Sequence, residues 1–297
     1  MPQSLPPIPE RQNEEALLAH LRAMAVSHAR VQLLENLRML VSVLVATAGL
    51  VATFVSSIAP TVTVIGVLWA LAYTAGLAGW AGRELKRAAL LQEGFDVRLF
   101  ELPWNSTLAG EQVNPQEVSR LAARYQGGDG PIRDYYEIPH LPSPYDVLAC
   151  QLQNLGWGAR VRRRYADVLV GALVCWVVAG VVTGALTQVT LGQLLTRWYI
   201  PALGALLLGL EVARGQRTVA AERERVLTLV RSRIAQGGPD ADLLVLARQV
   251  QDVLLLTRYR VPRVPDWFFA QFKSADRRDF QAAMDDLVAT LQARGVA

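Results

Sequence analysis

Two long stretches of the chain carry no charged residue and no histidine. One runs from Met39 to Gly82, and the other runs from Val168 to Thr196. A helix of about 20 apolar residues spans the hydrocarbon core of a bilayer, so the first stretch is long enough for two spans. Pro60 lies near its middle and predicts the turn between them. We therefore expect a membrane hairpin with spans over about residues 39–58 and 61–82.

The second stretch predicts a third span over residues 168–186, followed by a polar connection at residues 187–190. The fully uncharged part of a fourth span supplies only about 20 Å of helix against a hydrocarbon core of about 30 Å. The span reaches full length, over residues 194–213, if Arg197 and Glu211 lie at opposite interfaces. The alternative is a re-entrant or interfacial helix.

The polar remainder of the chain has mainly helical periodicity. Apolar residues recur at every third or fourth position between Leu17 and Leu37, which predicts an amphipathic helix that continues into the first span. The segments Asn114–Glu117 and Ser143–Asp146 each combine a capping residue, a proline and an acidic residue, and so predict two helix starts. Two further helices are expected over about residues 240–259 and 275–293.

Strand signals are sparse, and the best of them is Phe95–Leu102. The predicted fold class is therefore mainly α, with a four-helix transmembrane bundle made of two hairpins and a split, mostly helical cytoplasmic domain. The predicted parts are an amphipathic helix (1–38), the first hairpin (39–82), a cytoplasmic insert (83–167), the second hairpin (168–213) and a helical C-terminal region (214–297).

Basic residues flank all four predicted spans on the same side. Arg38 precedes the first span, Arg83 follows the second, Arg164 precedes the third and Arg214 follows the fourth, whereas the two short connecting loops hold only Arg197. Lys and Arg are in excess in the cytoplasmic loops of membrane proteins. The three polar segments and both termini are therefore predicted to be cytoplasmic.

The composition agrees with a membrane protein. Hydrophobic residues make up 52% of the chain and charged residues 19%, with a net charge of +4, whereas soluble domains usually carry about 25% charged residues. No nucleophile elbow, phosphate-binding glycine-rich loop, His-Glu-x-x-His or Cys-x-x-Cys motif occurs. The histidines and cysteines are not at metal-ligand spacing. We therefore expect neither enzymatic activity nor a cofactor or metal.

Small residues recur within the spans at helical spacing. Gly49, Thr53 and Ser57 share one face of the first span, and Gly180 and Gly184 form a Gly-x-x-x-Gly motif in the third. Such residues are typical of close helix packing. The spans carry no charge near their middle, which argues against a proton relay. Four packed helices enclose no lumen, so a pore would require a homo-oligomer.

An arginine cluster directly precedes the third span. Its simplest interpretation is an anchor among the lipid headgroups. The alternative is a surface that binds an anionic ligand such as a nucleotide. Tyr259 and residues 267–269 could stack on a base, or could be core or headgroup contacts instead. The candidate ligand-binding residues are Arg162, Arg163, Arg164, Arg258, Arg260 and Arg263.

Several short motifs occur in order along the chain. They are Ile8–Asn13, Phe95–Asp96, Leu99–Asn105, Asp134–Tyr136, Cys150–Gln151 with Asn154 and Trp157, and Arg163–Tyr165. Together with the two-plus-two arrangement of spans around a central insert, these motifs resemble the SMODS-associated four-transmembrane family of pore-forming effectors. The Leu102–Asn105 element is the most specific of them. Residues 213–297 carry none of the motifs.

The resemblance implies an anti-phage effector of the CBASS type in the bacterial inner membrane, encoded beside a nucleotidyltransferase. A cyclic nucleotide or cyclic oligonucleotide messenger from that enzyme would bind the cytoplasmic domain, assemble or open the membrane bundle and depolarise the cell. The expected partners are the lipid bilayer, the messenger and further copies of the chain, with no DNA or RNA.

The motif residues also predict contacts within the domain. Pro103 blocks a helix and Trp104 offers a large anchor, so Leu102, Pro103, Trp104 and Asn105 are expected to pin the insert against the helix bundle. Four polar residues are expected to hydrogen-bond near the same place and to serve structure or signal transmission: Gln12, Asn13, Gln151 and Asn154.

Two other function classes stay open. One is a non-catalytic membrane scaffold that recruits a soluble partner through its cytoplasmic domain. The other is a membrane-bound lipid or nucleotide enzyme, for which the sequence offers no recognisable site.

Overall fold

The computed structural model describes residues 6–52 and 55–296, and every regular element in these ranges is a helix. A π-helical turn at Tyr73–Leu77 joins α3 to α4, and a second one at Leu195–Tyr199 joins α8 to α9. The predicted mainly α fold is confirmed. The helices are α1 (Ile8–Arg11), α2 (Glu15–Ala52), α3 (Ala59–Ala72), α4 (Ala78–Leu99), α5 (Ser106–Ala109), α6 (Pro115–Ala122), α7 (Tyr145–Thr187), α8 (Leu191–Leu194), α9 (Ile200–Gln236), α10 (Asp240–Arg260) and α11 (Asp266–Ala293).

Four continuous helices are long and apolar enough to cross a membrane. They measure 38 to 46 residues, roughly twice what a bilayer requires, so each of them continues beyond its apolar part. The fourth predicted span is part of a continuous helix rather than a separate short one. These helices are Glu15–Ala52, Pro60–Leu99, Tyr145–Thr187 and Leu191–Gln236.

The two hairpin turns differ in construction. In the first, α2 is described as far as Ala52, and a short 3₁₀ turn at Ser56–Ile58 precedes α3. In the second, Gln188 adopts the left-handed conformation (φ 53°), and Thr190 caps α8 by accepting a hydrogen bond from the backbone N–H of Gln193. Each turn falls within the predicted connection or next to it.

The Gly-x-x-x-Gly motif packs inside the second hairpin. A Cβ at Gly180 would lie 2.7 Å from the Tyr199 hydroxyl oxygen, and a Cβ at Gly184 would lie 3.1 Å from Leu194 Cδ2. The Tyr199 hydroxyl donates to the Val177 carbonyl at 2.8 Å. Glycine is needed here because the helix beyond the turn lies against the α7 backbone.

The two hairpins meet where a Cβ at Gly49 would lie 2.7 Å from Pro201 Cβ. Thr53, which shares the predicted small-residue face, lies outside the described residues. Ser57 is exposed in the 3₁₀ turn before α3, so within one chain it does not pack between the hairpins, and its role in helix packing stays a prediction.

A polar cluster ties three membrane helices together near the predicted inner boundary. The Tyr73 hydroxyl donates to Glu35 Oε1 at 3.0 Å, and the Arg38 guanidinium lies 4.3 Å from the centre of the Tyr73 ring. Arg38 also pairs with Glu35 at 3.6 Å and with Glu211 at 3.4 Å. Mutual compensation allows these charges to lie beside the apolar spans.

The polar segments fold into one extramembrane domain with a shared hydrophobic core. The core takes side chains from the N-terminal part of α2, the C-terminal half of α4, the N-terminal half of α7, the C-terminal half of α9, and α10 and α11. Fully buried members include Leu18, Leu91, Leu155, Ile234 and Leu254. Because most of these helices are extensions of membrane spans, the core holds the inner ends of the spans together.

A buried polar network crosses this core at Asp96. Asp96 Oδ1 accepts a hydrogen bond from the Tyr136 hydroxyl at 2.6 Å, and Asp96 Oδ2 accepts from Arg258 Nη2 at 2.6 Å and from Gln251 Nε2 at 2.9 Å. Glu93, one turn earlier, accepts from Gln251 and from Arg248, each at 2.8 Å. The network joins α4 to α10 and to the segment before α7.

The strand prediction at Phe95–Leu102 is wrong. Helix α4 continues to Leu99, with Phe100 at its C-terminal cap and Glu101 in the left-handed conformation (φ 56°). The spacing of Leu91, Phe95 and Leu99 buries one face of a helix, and the polar residues between them are buried because α10 supplies their partners. The sequence pattern alone does not reveal those partners.

Of three predicted helix starts, one agrees with the structure and two do not. The start at Asn114 is confirmed, because its side chain accepts from the Gln116 N–H at 2.9 Å. Helix α7, however, begins at Tyr145 with Pro144 as the cap, so Ser143 does not cap it. Helix α11 begins at Asp266 rather than near Ala275, because Pro265 precedes its first turn and Phe268 packs into a local apolar cluster.

We expect the substitution Asp96→Asn to destabilise the domain. It removes the charge that compensates Arg258, and breaking a buried ion pair costs about 3–5 kcal/mol. The thiol of Cys150 is buried and Cys175 is exposed, so thermal exposure of Cys150 to a thiol-reactive dye, in a Cys175→Ala background, measures unfolding. The matched control is Asp285→Asn, at an exposed position. Equal midpoints for the two variants would contradict the structural role of Asp96.

Candidate anion-binding cavity

A polar cavity of about 370 Å³ lies in the extramembrane domain where the inner ends of all four spans converge. His28 reaches it from α2, Gln92 from α4, Arg162 from α7 and Arg223 from α9. The segment between α10 and α11 completes the wall with Arg263. One ligand in this cavity would therefore touch the extension of every membrane helix.

Three arginines of the cavity have only neutral polar partners among the described residues. Arg162 donates to the Gln216 side chain and to the Pro262 carbonyl (3.1 Å for the latter), and Arg223 donates to Thr257 Oγ1 at 3.0 Å and to the Asn154 carbonyl at 3.3 Å. The Arg263 guanidinium lies 3.4 Å from both Met24 Sδ and Gln92 Oε1.

Burial and mutual repulsion disfavour the charged forms of these side chains. Arg162 and Arg223 are only 5% and 6% exposed. Burial, with repulsion from Arg263, lowers the pKa of Arg162 to about 10, and burial lowers the pKa of Arg223 well below its ordinary value, with Arg162 and Arg258 adding to the effect. All three arginines remain cationic near neutral pH. A bound anion would relieve this repulsion.

Arg258 borders the same cavity, but the carboxylates of Asp96 and Glu93 compensate its positive charge. Burial acts to lower its pKa, yet the carboxylates of Asp96 and Glu93 raise it above the ordinary value. Its Nη2 donates to Asp96, whereas Nη1 lies 3.6 Å from Glu93 Oε2 and has no hydrogen-bond partner in the part of the chain that the structure describes. Arg258 therefore contributes a fixed ion pair with one free donor.

His28 stands among these cations as a neutral ring. Burial, with the charges of Arg263, Arg258 and Arg162, lowers the pKa of His28 well below 6.5. Its Nε2 is buried, and no described residue hydrogen-bonds to it. The positive cavity thus excludes a further proton.

Aromatic side chains form another part of the wall. Tyr135, Trp157 and Phe269 line the cavity, and Trp157 packs edge-on against Phe280 at 5.9 Å. Aromatic faces stack with nucleobases. Guanidinium groups beside aromatic rings suit a ligand that has both anionic and flat apolar parts.

The structure brings together only half of the predicted arginines. Arg162, Arg258 and Arg263 line the cavity. Arg163 points out of it to Glu224, Arg164 pairs with Asp276 at 2.8 Å, and Arg260 pairs with Glu222. Successive helical residues point about 100° apart, so Arg162, Arg163 and Arg164 cannot face one site. Their roles in ligand binding remain predictions.

The Leu102–Asn105 element docks onto α10 rather than onto the membrane bundle. Asn105 caps α5 and donates to both carboxylate oxygens of Asp252, at 3.1 and 3.2 Å, while the Pro103 carbonyl accepts from Arg248 at 2.9 Å. The Trp104 indole N–H donates to the Gly110 carbonyl at 2.7 Å, and Leu102 lies in the main core. The insert is therefore held by the C-terminal segment.

Three of the four predicted polar residues gather around residues 134–136, the fourth, Gln151, contacts α10, and among the described residues none of their hydrogen-bond partners lies in Leu102–Asn105. Gln12 exchanges two hydrogen bonds with the Tyr136 backbone, at 2.8 and 3.1 Å. Asn13 donates to the Asp134 carboxylate at 2.7 Å and accepts from the Asp134 N–H at 3.0 Å. Asn154 donates to the Tyr136 hydroxyl at 2.7 Å, and Gln151 donates to the Ala247 carbonyl at 2.8 Å. This part of their expected placement is corrected.

Arg223 and His28 are cavity residues that sequence reasoning missed. Each interrupts an apolar helical stripe: Arg223 follows Val219 by four residues, and His28 follows Met24 by four. A polar residue on such a stripe is buried with the stripe and needs a specific reason to be there. That pattern was the available signal.

The described residues include no group of three or more His, Cys, Asp or Glu side chains that could hold a metal ion. The cavity combines guanidinium groups and aromatic faces with three carboxylates, those of Asp134, Glu137 and Asp266.

The chain is similar to known proteins over nearly its full length. The sequence model of the family described as the SMODS-associating 4TM effector domain matches residues 6–287, including most of the C-terminal region. A probable CBASS effector molecule from Bacillus cereus (strain VD146) is 22% identical over 270 residues, which cover 88% of this chain and 91% of that relative. No solved structure matches the chain.

The lowered pKa of His28 predicts a loss of stability in mild acid. On unfolding its pKa returns to about 6.5, so below that pH the unfolded chain binds a proton that the folded chain does not. The free energy of unfolding therefore has its full value above about pH 6.5. Below that pH it falls by up to about 1.4 kcal/mol per pH unit.

Thermal unfolding between about pH 7 and pH 5.5 checks this expectation. His28→Gln should flatten the dependence, and His140→Gln, at an exposed position, should not. His20 leaves a residual slope, because burial lowers its pKa too. The expectation fails if His28→Gln keeps the full slope of the parent protein.

Proposed function

The chain belongs to the SMODS-associating 4TM effector family, and from this premise we propose that it permeabilises the bacterial inner membrane as an oligomer when a cyclic nucleotide messenger occupies its arginine cavity. A membrane effector in anti-phage signalling is the function supported by the family and by the similar probable CBASS effector. The pore and the messenger are the proposed refinements, with a non-enzymatic mechanism and both termini in the cytoplasm.

The observation that carries the proposal is the excess of buried positive charge in the cavity. Arg162 and Arg223 are buried and lack carboxylate partners among the described residues, although an uncompensated buried ion costs several kcal/mol, and the more exposed Arg263 lines the same cavity. Phosphate groups match guanidinium groups in charge and geometry. Nucleobases match the neighbouring aromatic faces. A cyclic nucleotide made by a neighbouring nucleotidyltransferase combines both features.

The position of the cavity provides a route from binding to the membrane. Its walls come from α2, α4, α7 and α9, and each of these helices continues into one span. A ligand shifts a conformational equilibrium only by its difference in affinity for the two arrangements. Relief of repulsion among the guanidinium groups depends on their separation, so a bound anion favours the arrangement in which they converge on it.

The surface of the spans supports an oligomeric pore. In the apolar stretch of each span at most 17% of the residues are buried within the chain. Lipid or further copies of the chain must cover the rest. Because four helices enclose no lumen, conduction requires several copies to assemble.

Arg223→Gln tests the role of the cavity. Loss of one charge-assisted contact costs about 1.5–3 kcal/mol, so the affinity for the activating cyclic nucleotide should fall roughly 10- to 100-fold. The control is Arg163→Gln, which removes an exposed arginine that points to Glu224 and should leave affinity unchanged. Binding is measured by calorimetry against a panel of cyclic mononucleotides and dinucleotides.

Dye release from liposomes carrying the protein tests the membrane step with the same panel. We expect release that requires the messenger and that shifts to higher messenger concentration in Arg223→Gln. Binding without release, together with capture of a stable soluble partner, would favour the scaffold instead. Equal affinity of Arg223→Gln and Arg163→Gln would exclude the cavity as the messenger site.

A further inference from the structure

The end of the extramembrane domain nearest to the membrane is the turn between α10 and α11. Helix α10 returns along α9, as the contact of Thr257 with Arg223 and the ion pair of Arg260 with Glu222 show. Helix α11 then leads away along α7, where Phe268 packs on Tyr165 and Phe280 on Trp157. We name residues 261–269 the membrane-proximal tip.

Two contacts place the tip beside the ends of the second hairpin. A Cβ at Gly215 would lie 2.7 Å from Val261 Cγ1, and Gly215 follows the predicted end of the fourth span by two residues, about 3 Å of helix. The Phe268 ring lies 5.2 Å from the Tyr165 ring, which precedes the third span by three residues, about 4.5 Å.

A third contact gives a similar level on the second span, although its partner in α2, Gln32, lies about 10 Å of helix before the predicted start of the first span. The Gln32 amide, oriented so that both of its groups are hydrogen-bonded, donates to Asp266 Oδ2 at 3.1 Å and accepts from the Asp266 N–H at 2.9 Å. One half-turn earlier in α2, Arg30 pairs at 3.2 Å with Glu84, two residues after Gly82, where the first uncharged run ends. Asp266 therefore lies level with the end of that run.

These levels fall within the headgroup layer, which is about 5–8 Å thick on each side of the hydrocarbon core. Trp267 lies in the first turn of α11, and 61% of its surface is exposed. Trp80, near the end of the second span, is also exposed. Tryptophan concentrates at this depth because its ring is apolar and its N–H can hydrogen-bond headgroups or water.

We propose that the membrane-proximal tip is a lipid-contact surface and that Trp267 inserts among the headgroups. The tip also carries Arg263 and the Pro262 carbonyl, which accepts from Arg162 and from Gln216, each at 3.1 Å. The surface that rests on the bilayer is thus one wall of the arginine cavity. This contact goes beyond the proposed function and holds whichever ligand the cavity takes.

Quenching by a nitroxide attached to lipid headgroups tests the contact. A fluorophore is placed at Trp267→Cys, in a Cys175→Ala background, in full-length protein in nanodiscs. The matched control is Val245→Cys, which is 58% exposed on α10 and lies about 22 Å along the helix from its membrane-proximal end. We expect strong loss of fluorescence at position 267 and little loss at position 245. Equal quenching at both positions would overturn the proposal.

A label-free measurement guards against disturbance of the fold by the cysteine variant. Trp267→Phe removes one of 7 tryptophans, and the difference in emission between the parent protein and this variant reports Trp267 alone. That difference signal should be quenched by headgroup nitroxides and not by a soluble quencher. A difference signal that only the soluble quencher affects would place Trp267 in water and refute the contact.

Discussion

Compensation of buried charge is the constraint on which this structure depends. Glu93 and Asp96 bring two carboxylates into the core of the extramembrane domain, and they are used by Arg248, Arg258, Gln251 and Tyr136. On the other side of Arg258, Asp134, Glu137 and Asp266 line the cavity, but among the described residues no carboxylate forms an ion pair with Arg162, Arg223 or Arg263. The same core therefore contains a satisfied network and, next to it, a cluster of guanidinium groups with only neutral partners. The satisfied network holds the helices together, and the guanidinium cluster favours the binding of an anion.

The long helices connect this local imbalance of charge to the membrane spans. Backbone groups in lipid must be hydrogen-bonded within the span, which requires continuous helices across the bilayer. Here each helix also continues into the domain, so His28, Gln92, Arg162 and Arg223 lie on the same continuous helices as the spans. A change in the distances among these four side chains therefore moves the membrane helices themselves. Close contacts at Gly49 and Gly180 leave little room for one membrane helix to move independently of its neighbours.

Sequence patterning was sufficient where a single segment decides its own structure. Uncharged runs predicted the spans, and periodicity predicted the extent of α2 and α10. It failed where the outcome depends on a distant partner. Residues 95–102 were predicted as a strand, whereas α4 continues to Leu99, and its buried acids Glu93 and Asp96 find their partners Arg248 and Arg258 only on α10. The late start assigned to α11 has the same origin, since Tyr165 and Val161 provide the cluster into which its first turn packs.

The sequence by itself determined the helical class, the four spans, the family resemblance and the arginine richness beside the membrane, because each of these is a property of local composition or of ordered motifs. Only the tertiary structure decided which arginines share a site. Neighbours such as Arg162 and Arg163 diverge by about 100° around a helix, whereas Arg162 and Arg223 converge although they are far apart in the chain. Chain order fixes the angle of a side chain on its own helix, but the packing of one helix on another decides what that side chain meets.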